Sequence, residues 1–354
     1  MYSMGTILII ALLMSQKLLF TFAFTFLLSS SALAAEPIGA KRAYRLQIDN
    51  DFLARGGSSD QDYTGGISLS SDQAPEANHI WSLKLPRNAL DRLLFSSHDK
   101  QARSSSTSQI GAVFFTPKNI ESTDIDTSDR PYASLVFVAN GQMSVETHRS
   151  VFSSLSVGVL GTSFAGQVQK SIHDITGSSQ PLGYRHQISA GAEPTAKYSL
   201  AFQHVLASNR NGDLKATYQA HAGYLTEASG AVSFRWGRIQ TPWWAFNPEL
   251  NDPIANASPV ISSNATKNDL YLFGGAKLKA RLYSAMLQGQ FRDSSWSLSA
   301  HDLEPLILHA WLGGTSKMFN AKVSYTLNYQ SPEVRLGKAH RDHVWGSLQT
   351  SFEF

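Results

Sequence analysis

The amino-acid sequence predicts an all-β protein: a transmembrane, antiparallel, up-and-down β-barrel of about twelve strands, with short helices in its loops. Three observations predict this fold. The 354-residue chain begins with a segment typical of an export signal, and apolar and polar residues then alternate with period two. The chain also ends in an alternating segment that closes on Phe354. A soluble β-sandwich shows the same alternation, so the barrel depends on the three observations together.

The first 35 residues predict a secretory signal peptide that is removed. Lys17 supplies a positive charge, residues 18–28 form an apolar core, and residues 32–34 are typical of a cleavage site. A membrane anchor is the alternative, but a charge interrupts the apolar run and small residues follow it. No later stretch approaches the roughly 18 apolar residues of a spanning helix. We therefore expect residues 36–354 to form one exported barrel domain.

Composition limits the class of protein and of partner. The chain contains no cysteine, so disulfides cannot stabilise it. Charged residues make up only 16% of the chain, below the typical quarter of soluble domains, which favours a β-protein with one face out of water. The net charge of +3 is too small to indicate nucleic acid. We expect a monomer surrounded by membrane lipid.

Alternation is clearest at residues 44–48, 214–222 and 319–329, where one face of each segment is apolar. Segments of about ten residues with one apolar face are what a membrane barrel strand requires, and a closed barrel satisfies its backbone groups in lipid. The predicted strands are 43–50, 64–72, 107–117, 132–142, 150–160, 195–206, 213–224, 229–240, 268–290, 304–315, 318–330 and 341–354. Two alternatives stay open: a further strand at 183–190, and a hairpin at Gly274-Gly275 within 268–290.

Bacterial barrels have an even number of strands, with both termini on the periplasmic side. Six long interruptions are predicted to be external loops: 51–63, 117–131, 161–194, 241–267, 291–303 and 331–341. The predicted strands do not place all six on one side, so we expect an error in the strands between 183 and 290. Residues 74–106 are expected on the periplasmic side, with a helix at 90–94.

Four polar clusters fall where predicted strands begin or end: Asn50-Asp51, Thr64, Asp129-Arg130, and Gln169 with His173. Up-and-down topology brings all four to the external rim of one half of the barrel. A histidine, a carboxylate and a hydroxyl at one rim are the groups of a hydrolytic site. We therefore expect the external loops of the 36–354 domain to carry an active site.

His173 is the candidate general base. Gln169 and His173 are four residues apart in a predicted short helix at 167–175, so they share one face. A neutral imidazole can take a proton from water near physiological pH. The alternative is a loop histidine exposed to solvent.

The first predicted hairpin offers oxygen ligands. Asn50, Asp51 and Thr64 carry the amide, carboxylate and hydroxyl oxygens that suit Ca²⁺, and the lack of cysteine argues against a thiolate zinc site. The alternative is a polar hairpin, because Asn, Asp and Gly favour turns. Asp49, Asp60 and Asp62 could equally be solvated charges at the rim.

Arg130 allows two interpretations. Its guanidinium could bind a substrate phosphate or form a structural ion pair with Asp129. Pro131 restrains the backbone there, and Tyr132 begins the next predicted strand. No Gly-x-Ser-x-Gly or His-Glu-x-x-His motif occurs, so neither a conventional serine lipase nor a zinc protease is supported.

Taken together, these segments resemble the outer-membrane lipid A 3'-O-deacylase family over most of the mature chain and in the same order. Asp49-Asn50-Asp51-Phe52 resembles the family's Glu-Asn-Asp-x-Phe opening, and residues 60–66 resemble its Asp-Arg-x-Tyr-Thr-Asn-Gly. The other matching segments are Phe115-Thr116-Pro117, residues 129–133, residues 158–173, residues 183–187 and Glu193-Pro194. Each motif is short, and the ordered set is specific.

The resemblance implies a twelve-stranded barrel in the bacterial outer membrane that removes the 3'-linked acyloxyacyl chain from lipid A of lipopolysaccharide. It implies His173 as general base with Gln169 nearby, and a calcium and water site at Asn50, Asp51 and Thr64, with Asp51 and Thr64 as metal ligands.

Arg130 and Tyr132 are the expected substrate-binding residues. Four departures from the family pattern bear on substrate fit: Asp49 replaces Glu, Asp62 replaces an aromatic residue, Gly65-Gly66 replaces Asn-Gly, and Tyr184 replaces Trp.

Three alternatives to this function stay open. One is a phospholipase-type barrel that hydrolyses glycerophospholipid with the same chemistry. The second is a passive pore, since any barrel has polar residues on its inner face. The third is a barrel that binds lipopolysaccharide without hydrolysing it.

Overall fold

The computed structural model describes residues 42–55, 61–73, 83–94, 103–163, 167, 180–251, 257–260, 268–335 and 337–353. The chain divides into two units, Met1–Lys41 and Arg42–Phe354, and all of the described residues belong to the second. The predicted signal peptide therefore lies outside the described residues. Within them, no helix is long and apolar enough to cross a membrane.

Twelve antiparallel strands form one closed barrel, as predicted. Each strand pairs with its neighbours along the chain, and the last strand pairs with the first from Ala43↔Glu353 to Asn50↔Gly346. The strands are β1 Ala43–Asn50, β2 Asp62–Gln73, β3 Arg103–Thr116, β4 Ala133–Val145, β5 Arg149–Leu160, β6 Glu193–Asn209, β7 Gly212–Gly223, β8 Leu225–Arg238, β9 Leu270–Ser284, β10 Leu306–Met318, β11 Ala321–Gln330 and β12 His343–Glu353.

Helices occupy several connections. The α-helices are α1 Phe52–Arg55, α2 Lys84–Leu94 and α3 Ala285–Gln288, and 3-10 helices are found at Tyr184–His186, Trp243–Ala245, Pro248–Leu250, Ala300–Asp302 and Gly337–Ala339. Helix α2 contains the predicted helix at 90–94 and begins six residues earlier. Residues 183–190, the alternative thirteenth strand, instead contain the 3-10 helix at Tyr184–His186.

The predicted hairpin at Gly274-Gly275 is absent, because both residues lie in the middle of the single strand β9. A Cβ on Gly275 would lie 2.4 Å from the indole of Trp311, and one on Gly274 would lie 3.0 Å from the ring of Phe234. The two glycines therefore make room for aromatic side chains on neighbouring strands, and no turn is needed to explain them.

The barrel has two ends, which we call the terminal end, where Ala43 and Glu353 lie, and the distal end opposite. Five of the predicted external loops join strands at the distal end: the connections after β1, β3, β5, β9 and β11. The sixth prediction is wrong, because residues 241–267 follow β8 and lie in the connection at the terminal end. The error expected between 183 and 290 was therefore the assignment of this loop to the exterior, and not the strands themselves. At the distal end, Tyr224 alone joins β7 to β8.

Alternation along each strand separates an inner face from an outer face. On β9, Lys277 and Lys279 are buried in the barrel interior, whereas Leu278 and Leu282 are 54% and 77% exposed on the outer surface. This arrangement of polar side chains inside and apolar side chains outside is that of a barrel whose outer wall contacts lipid.

The connection between β8 and β9 folds back into the barrel interior. We call its described residues 243–251 and 257–260 the plug. Buried Glu249 forms a 2.7 Å ion pair with Lys215 of β7, and its carbonyl oxygen accepts a 2.6 Å hydrogen bond from Lys277 of β9. On the opposite wall, Arg45 of β1 donates to the carbonyl oxygens of Ser258 (2.7 Å) and Pro259 (3.2 Å). The plug thus contacts strands on both sides of the interior.

Candidate active site at the distal rim

Asn50 is the last residue of β1 and lies at the distal end on the outer face of the wall. Arg45 and Asp49 face the interior, where Arg45 contacts the plug. Because successive side chains of a strand alternate, Asn50 shares the opposite face with Leu46 and Ile48. The candidate residue therefore faces the lipid side of the rim, not the barrel interior.

Asn50 and Asp51 close the hairpin between β1 and β2. The Asn50 amide donates to the backbone oxygen of Thr64 (3.1 Å), and its Oδ1 accepts from the backbone N–H of Phe52 (2.8 Å). Buried Asp51 accepts from the backbone N–H groups of Phe52 (2.8 Å) and Gln61 (3.2 Å). The bonds to Phe52 satisfy the first N–H group of α1, as side chains at helix N-termini commonly do, and the bond to Gln61 ties the start of β2 to the end of β1.

Thr64 lies at a β-bulge. Tyr63 pairs with Phe115 and Gly65 pairs with Phe114, so Thr64 is the extra residue of β2. Its hydroxyl lies 2.7 Å from that of Thr116, on the outer side of β3. A Cβ on Gly65 would lie 2.8 Å from the backbone oxygen of Asp49, which explains why glycine follows the bulge. The bulge brings Thr64, Asn50 and Asp51 together, as predicted.

The hairpin oxygens fit a calcium ion in kind. The Asp51 carboxylate and the Thr64 hydroxyl are hard oxygen donors of the type that Ca²⁺ prefers. Ca²⁺ takes about six to eight oxygens, and no group of three or more His, Asp or Glu in the described part of the chain is arranged to hold a metal. The hairpin can therefore supply only part of a coordination shell.

Asp129 and Arg130 form structural contacts, but the described ion pairs of the Arg130 guanidinium are with Asp62 and Glu333 and not with Asp129. The Asp129 carboxylate accepts from the backbone N–H groups of Arg130 (2.8 Å) and Lys118 (2.9 Å). The buried Arg130 guanidinium lies 3.7 Å from Asp62, 3.4 Å from Glu333 and 4.6 Å from the centroid of the Phe115 ring. These bonds hold the loop after β3 against the β2 side of the barrel.

A network of buried and partly buried ion pairs extends from Arg130 across the distal end. Arg341 of the loop after β11 pairs with Asp62 (2.7 Å) and Asp129 (2.9 Å), and Glu333 of the same loop pairs with Arg281 of β9. Burial alone would raise the pKa of Glu333, but the Arg281 and Arg130 guanidiniums outweigh it and hold this pKa at about 2. The network fixes the distal loops around the hairpin.

Arg130 and Tyr132 also border a cavity of about 340 Å³ at the distal end. The Tyr132 hydroxyl donates to the backbone oxygen of Ile120 (2.9 Å), and its ring lies 4.9 Å from that of Tyr184. A Cβ on Gly183 would lie 2.3 Å from the Tyr132 ring, so only glycine fits there. His186 and Lys338 are among the other polar residues that line this cavity.

Two other motif residues connect distal loops. The Gln187 amide accepts from Ser134 (2.7 Å) and donates to the backbone oxygen of Thr162 (3.2 Å). Glu193 accepts from the backbone N–H groups of Phe291 (2.8 Å) and Arg292 (3.0 Å). Gln187 and Glu193 therefore have a structural role in this barrel, because their hydrogen bonds join the distal loops to one another.

A comparison with protein families matches residues 18–354 to the family described as outer membrane protein LpxR. The chain belongs to this family. The resemblance found in the sequence motifs is thereby confirmed, and the barrel is an outer-membrane protein. Short turns of such barrels face the periplasm and long loops face the exterior. Three of the five turns at the terminal end are two or three residues long, so the distal end faces the cell exterior.

A comparison with solved structures found other outer-membrane proteins. The fold is shared with LpxR from Salmonella typhimurium, which matches with a TM-score of 0.68 and 16% identity over 88% of this chain and 100% of that chain. The β-domain of the Bordetella autotransporter BrkA gives 0.41 and 8% identity over 89% and 99%, and the translocator domain of NalP from Neisseria meningitidis gives 0.38 and 10% over 96% and 98%. A comparison with curated proteins found no match.

Gln169 and His173 lie outside the described residues, as does most of the predicted helix at 167–175. Strand β5 ends at Leu160 and β6 begins at Glu193, both at the distal end. The connection that carries the two residues therefore begins and ends at the same end of the barrel as the β1–β2 hairpin. Their roles stay predictions.

Sequence reasoning missed Glu333, Arg281 and Arg341, which complete the charge network. The sequence signal for these residues was weak: each is a charged residue in or next to an apolar strand, in a chain with few charged residues.

Proposed function

We propose that this protein is an ester hydrolase of the outer membrane that removes the 3'-linked acyloxyacyl chain from lipid A of lipopolysaccharide. Membership of the outer membrane protein LpxR family supports this activity. The observation that carries it is the position of Asn50, Asp51 and Thr64 at the distal rim, with Asn50 on the lipid-facing side of the wall. A hydrolase of lipid A needs its reactive groups where the outer leaflet meets water.

The geometry suits a substrate that stays in the membrane. Leu46 and Ile48 continue the face of Asn50 down the outer wall, so acyl chains can lie along them while the ester reaches the rim. Among the described residues, the plug lies in the barrel interior and contacts β1, β7 and β9 from inside. This arrangement favours a lipid substrate over passage of a solute.

In the proposed reaction, His173 takes a proton from water, and the resulting hydroxide attacks the ester carbonyl. The tetrahedral oxyanion collapses with cleavage of the C–O bond, and the proton on His173 passes to the departing sugar oxygen. The products are a free acid and a hydroxyl on lipid A, with no covalent acyl-enzyme. Gln169 is proposed to orient the water beside His173.

A calcium ion is the proposed cofactor, held by oxygens of Asp51 and Thr64 with Asn50 beside them. When bound, it would polarise the ester carbonyl and stabilise negative charge on its oxygen. Arg130 and Tyr132, which border the distal cavity, are proposed to bind the polar part of lipid A. The charge of Arg130 is already paired with Asp62 and Glu333. Arg130 would therefore orient the substrate more than it would neutralise the substrate's negative charge.

Mass spectrometry of lipid A after incubation with the purified barrel tests the proposal. We expect loss of one acyloxyacyl unit with wild-type protein, no loss with His173→Ala or with chelator, and full activity with His148→Ala. His148 is exposed in the turn between β4 and β5 at the terminal end, which makes it a matched control. Heat-dependent gel mobility would verify that each barrel is folded.

Three results would overturn the proposal. Loss of fatty acid from glycerophospholipid alone would indicate a phospholipase. Unchanged lipids together with ion conductance would indicate a pore. Unchanged lipids together with retained binding of lipopolysaccharide would indicate a binding protein.

A further inference from the structure

Helix α2 packs against the outside of the barrel, near its terminal end. Asp91 accepts hydrogen bonds from Ser153 of β5 (2.9 Å) and Tyr198 of β6 (2.7 Å), and Arg87 donates to Gln142 of β4 (2.5 Å). The chain neighbours of these three strand residues, Phe152, Lys197 and Met143 among them, are buried in the barrel interior. Alternation therefore places Ser153, Tyr198 and Gln142 on the outer face.

The helix is amphipathic in the opposite sense to a helix on a water-soluble protein. Its polar side faces protein, because Arg87 and Asp91 are buried, at 0% and 2% exposure. Its apolar side faces away from protein, with Leu85 at 73% and Leu93 at 81% exposure. Leu85, Ala89 and Leu93 are spaced four residues apart and form one stripe along the exposed side.

The wall beneath the helix is polar where a membrane barrel is normally apolar. On β4, the outer face changes from Val136 and Val138 to Asn140, Gln142 and Ser144 toward the terminal end. Asn140 bonds to the backbone oxygen of Thr107 (3.2 Å), and Gln142 bonds to Ser104 (3.1 Å). Such a surface against acyl chains would be unfavourable, and α2 covers it with polar partners.

The position of the helix along the wall falls within the membrane. Ser153 is four residues after Arg149, the first residue of β5 at the terminal end. At a rise of about 3.3 Å per residue and a tilt of about 40°, this is about 10 Å along the barrel axis, whereas the apolar band is about 25 Å tall. The exposed side chains of Val138, Val157 and Phe202 continue this band on the same strands.

We propose that α2 is embedded in the periplasmic leaflet and completes the lipid-facing surface of the barrel over its polar patch. The acyl chains of glycerophospholipids cover the exposed side of the helix and contact Leu85, Leu93 and Leu94. Arg92, exposed on the same helix, binds their phosphate groups. The stripe is continuous with the apolar band formed by Val138, Val157 and Phe202 on β4, β5 and β6, so we infer that it contacts lipid and not a protein partner.

A single-cysteine experiment tests this, because the natural chain has no cysteine. Leu93→Cys carries a fluorophore on full-length barrels in vesicles of phosphatidylethanolamine and phosphatidylglycerol. We expect a spin-labelled phospholipid to quench it as strongly as the same label at Leu278→Cys, an exposed site on the β9 outer face. Iodide in the periplasm-side buffer should quench it far less than the label at Thr147→Cys in the β4–β5 turn.

Quenching of Leu93→Cys by iodide as strong as that at Thr147→Cys would overturn the proposal. Protection of the label from both quenchers, together with disulfide-linked dimers of the unlabelled Leu93→Cys variant, would also overturn it in favour of a second copy of the chain. Leu85→Cys lies on the same stripe and provides the same readout if Leu93→Cys fails to fold. Neither outcome depends on lipid A hydrolysis.

Discussion

Glu333→Gln tests the charge network that supports the candidate site. Glu333 has a side chain only 18% exposed and lies between Arg281 and Arg130. Its pKa of about 2, against an ordinary value of 4.5, corresponds to roughly 3 kcal/mol of stabilisation at neutral pH. The neutral amide keeps the shape of the side chain and removes its charge. We expect the variant to lose about 3 kcal/mol of unfolding free energy at pH 7.

The pH dependence of this loss has a definite sign. Because the pKa of Glu333 is lower in the folded barrel, its stabilisation is complete above about 4.5, the value in the unfolded chain. It disappears as the pH falls from there through about 2, where the folded carboxylate takes up a proton. The difference between wild type and variant should therefore be constant from pH 7 to about pH 5 and shrink at lower pH.

Urea unfolding of the barrel in detergent micelles, repeated from pH 7 to pH 2.5, measures the difference. Glu304→Gln is the matched control, because Glu304 forms only a 3.9 Å pair with the half-exposed Arg335. Such surface pairs contribute about 0–1 kcal/mol. If the two variants were equally stable at pH 7, or if the Glu333→Gln difference did not change with pH, the assigned role of the network would be wrong.

Three further predictions follow from the structure. Gly183→Ala places a Cβ within 2.3 Å of the Tyr132 ring, so we expect a loss of about 1–3 kcal/mol in urea unfolding, and an unchanged midpoint would contradict the packing described. Arg45→Ala combined with Lys277→Ala removes anchors of the plug from two walls, so planar-bilayer recordings should show more conductance for the double variant than for wild type, and equal conductance would contradict the anchoring described. Asp51→Asn removes the charge of a proposed calcium ligand, so calorimetry should show weaker calcium binding, and equal affinity would exclude Asp51 from the proposed metal site.

Much of the barrel could be predicted because its signal is local. Each strand shows period-two alternation that depends only on which face meets lipid, so twelve strands and the β1–β2 hairpin with Asn50, Asp51 and Thr64 follow from short stretches of sequence. The plug could not be predicted in this way. Its residues are held by Arg45, Lys215 and Lys277 across the interior, and nothing local distinguishes a segment that enters the barrel from one that lies outside it.

The charge network and the packing of α2, whose helix was itself predicted at 90–94, were hidden for related reasons. Arg130 and Glu333 are 203 residues apart, so no spacing rule relates them. The periodicity of residues 84–94 identifies two faces of a helix, but in a membrane it does not tell which face meets protein. The face of the helix that meets protein is set by the polar patch on the outer wall, and residues of β4, β5 and β6 form this patch together.

Two variants on one strand test the central claim, that hydrolysis occurs on the lipid-facing side of the distal rim. Asn50→Ala removes an outward amide at the rim, whereas Gln47→Ala removes an inward amide on β1 that bonds to Asp49. Mass spectrometry of lipid A would follow release of the acyloxyacyl chain by each purified barrel. We expect release to be lost with Asn50→Ala and retained with Gln47→Ala. Retained release with Asn50→Ala and lost release with Gln47→Ala would contradict an outward-facing site.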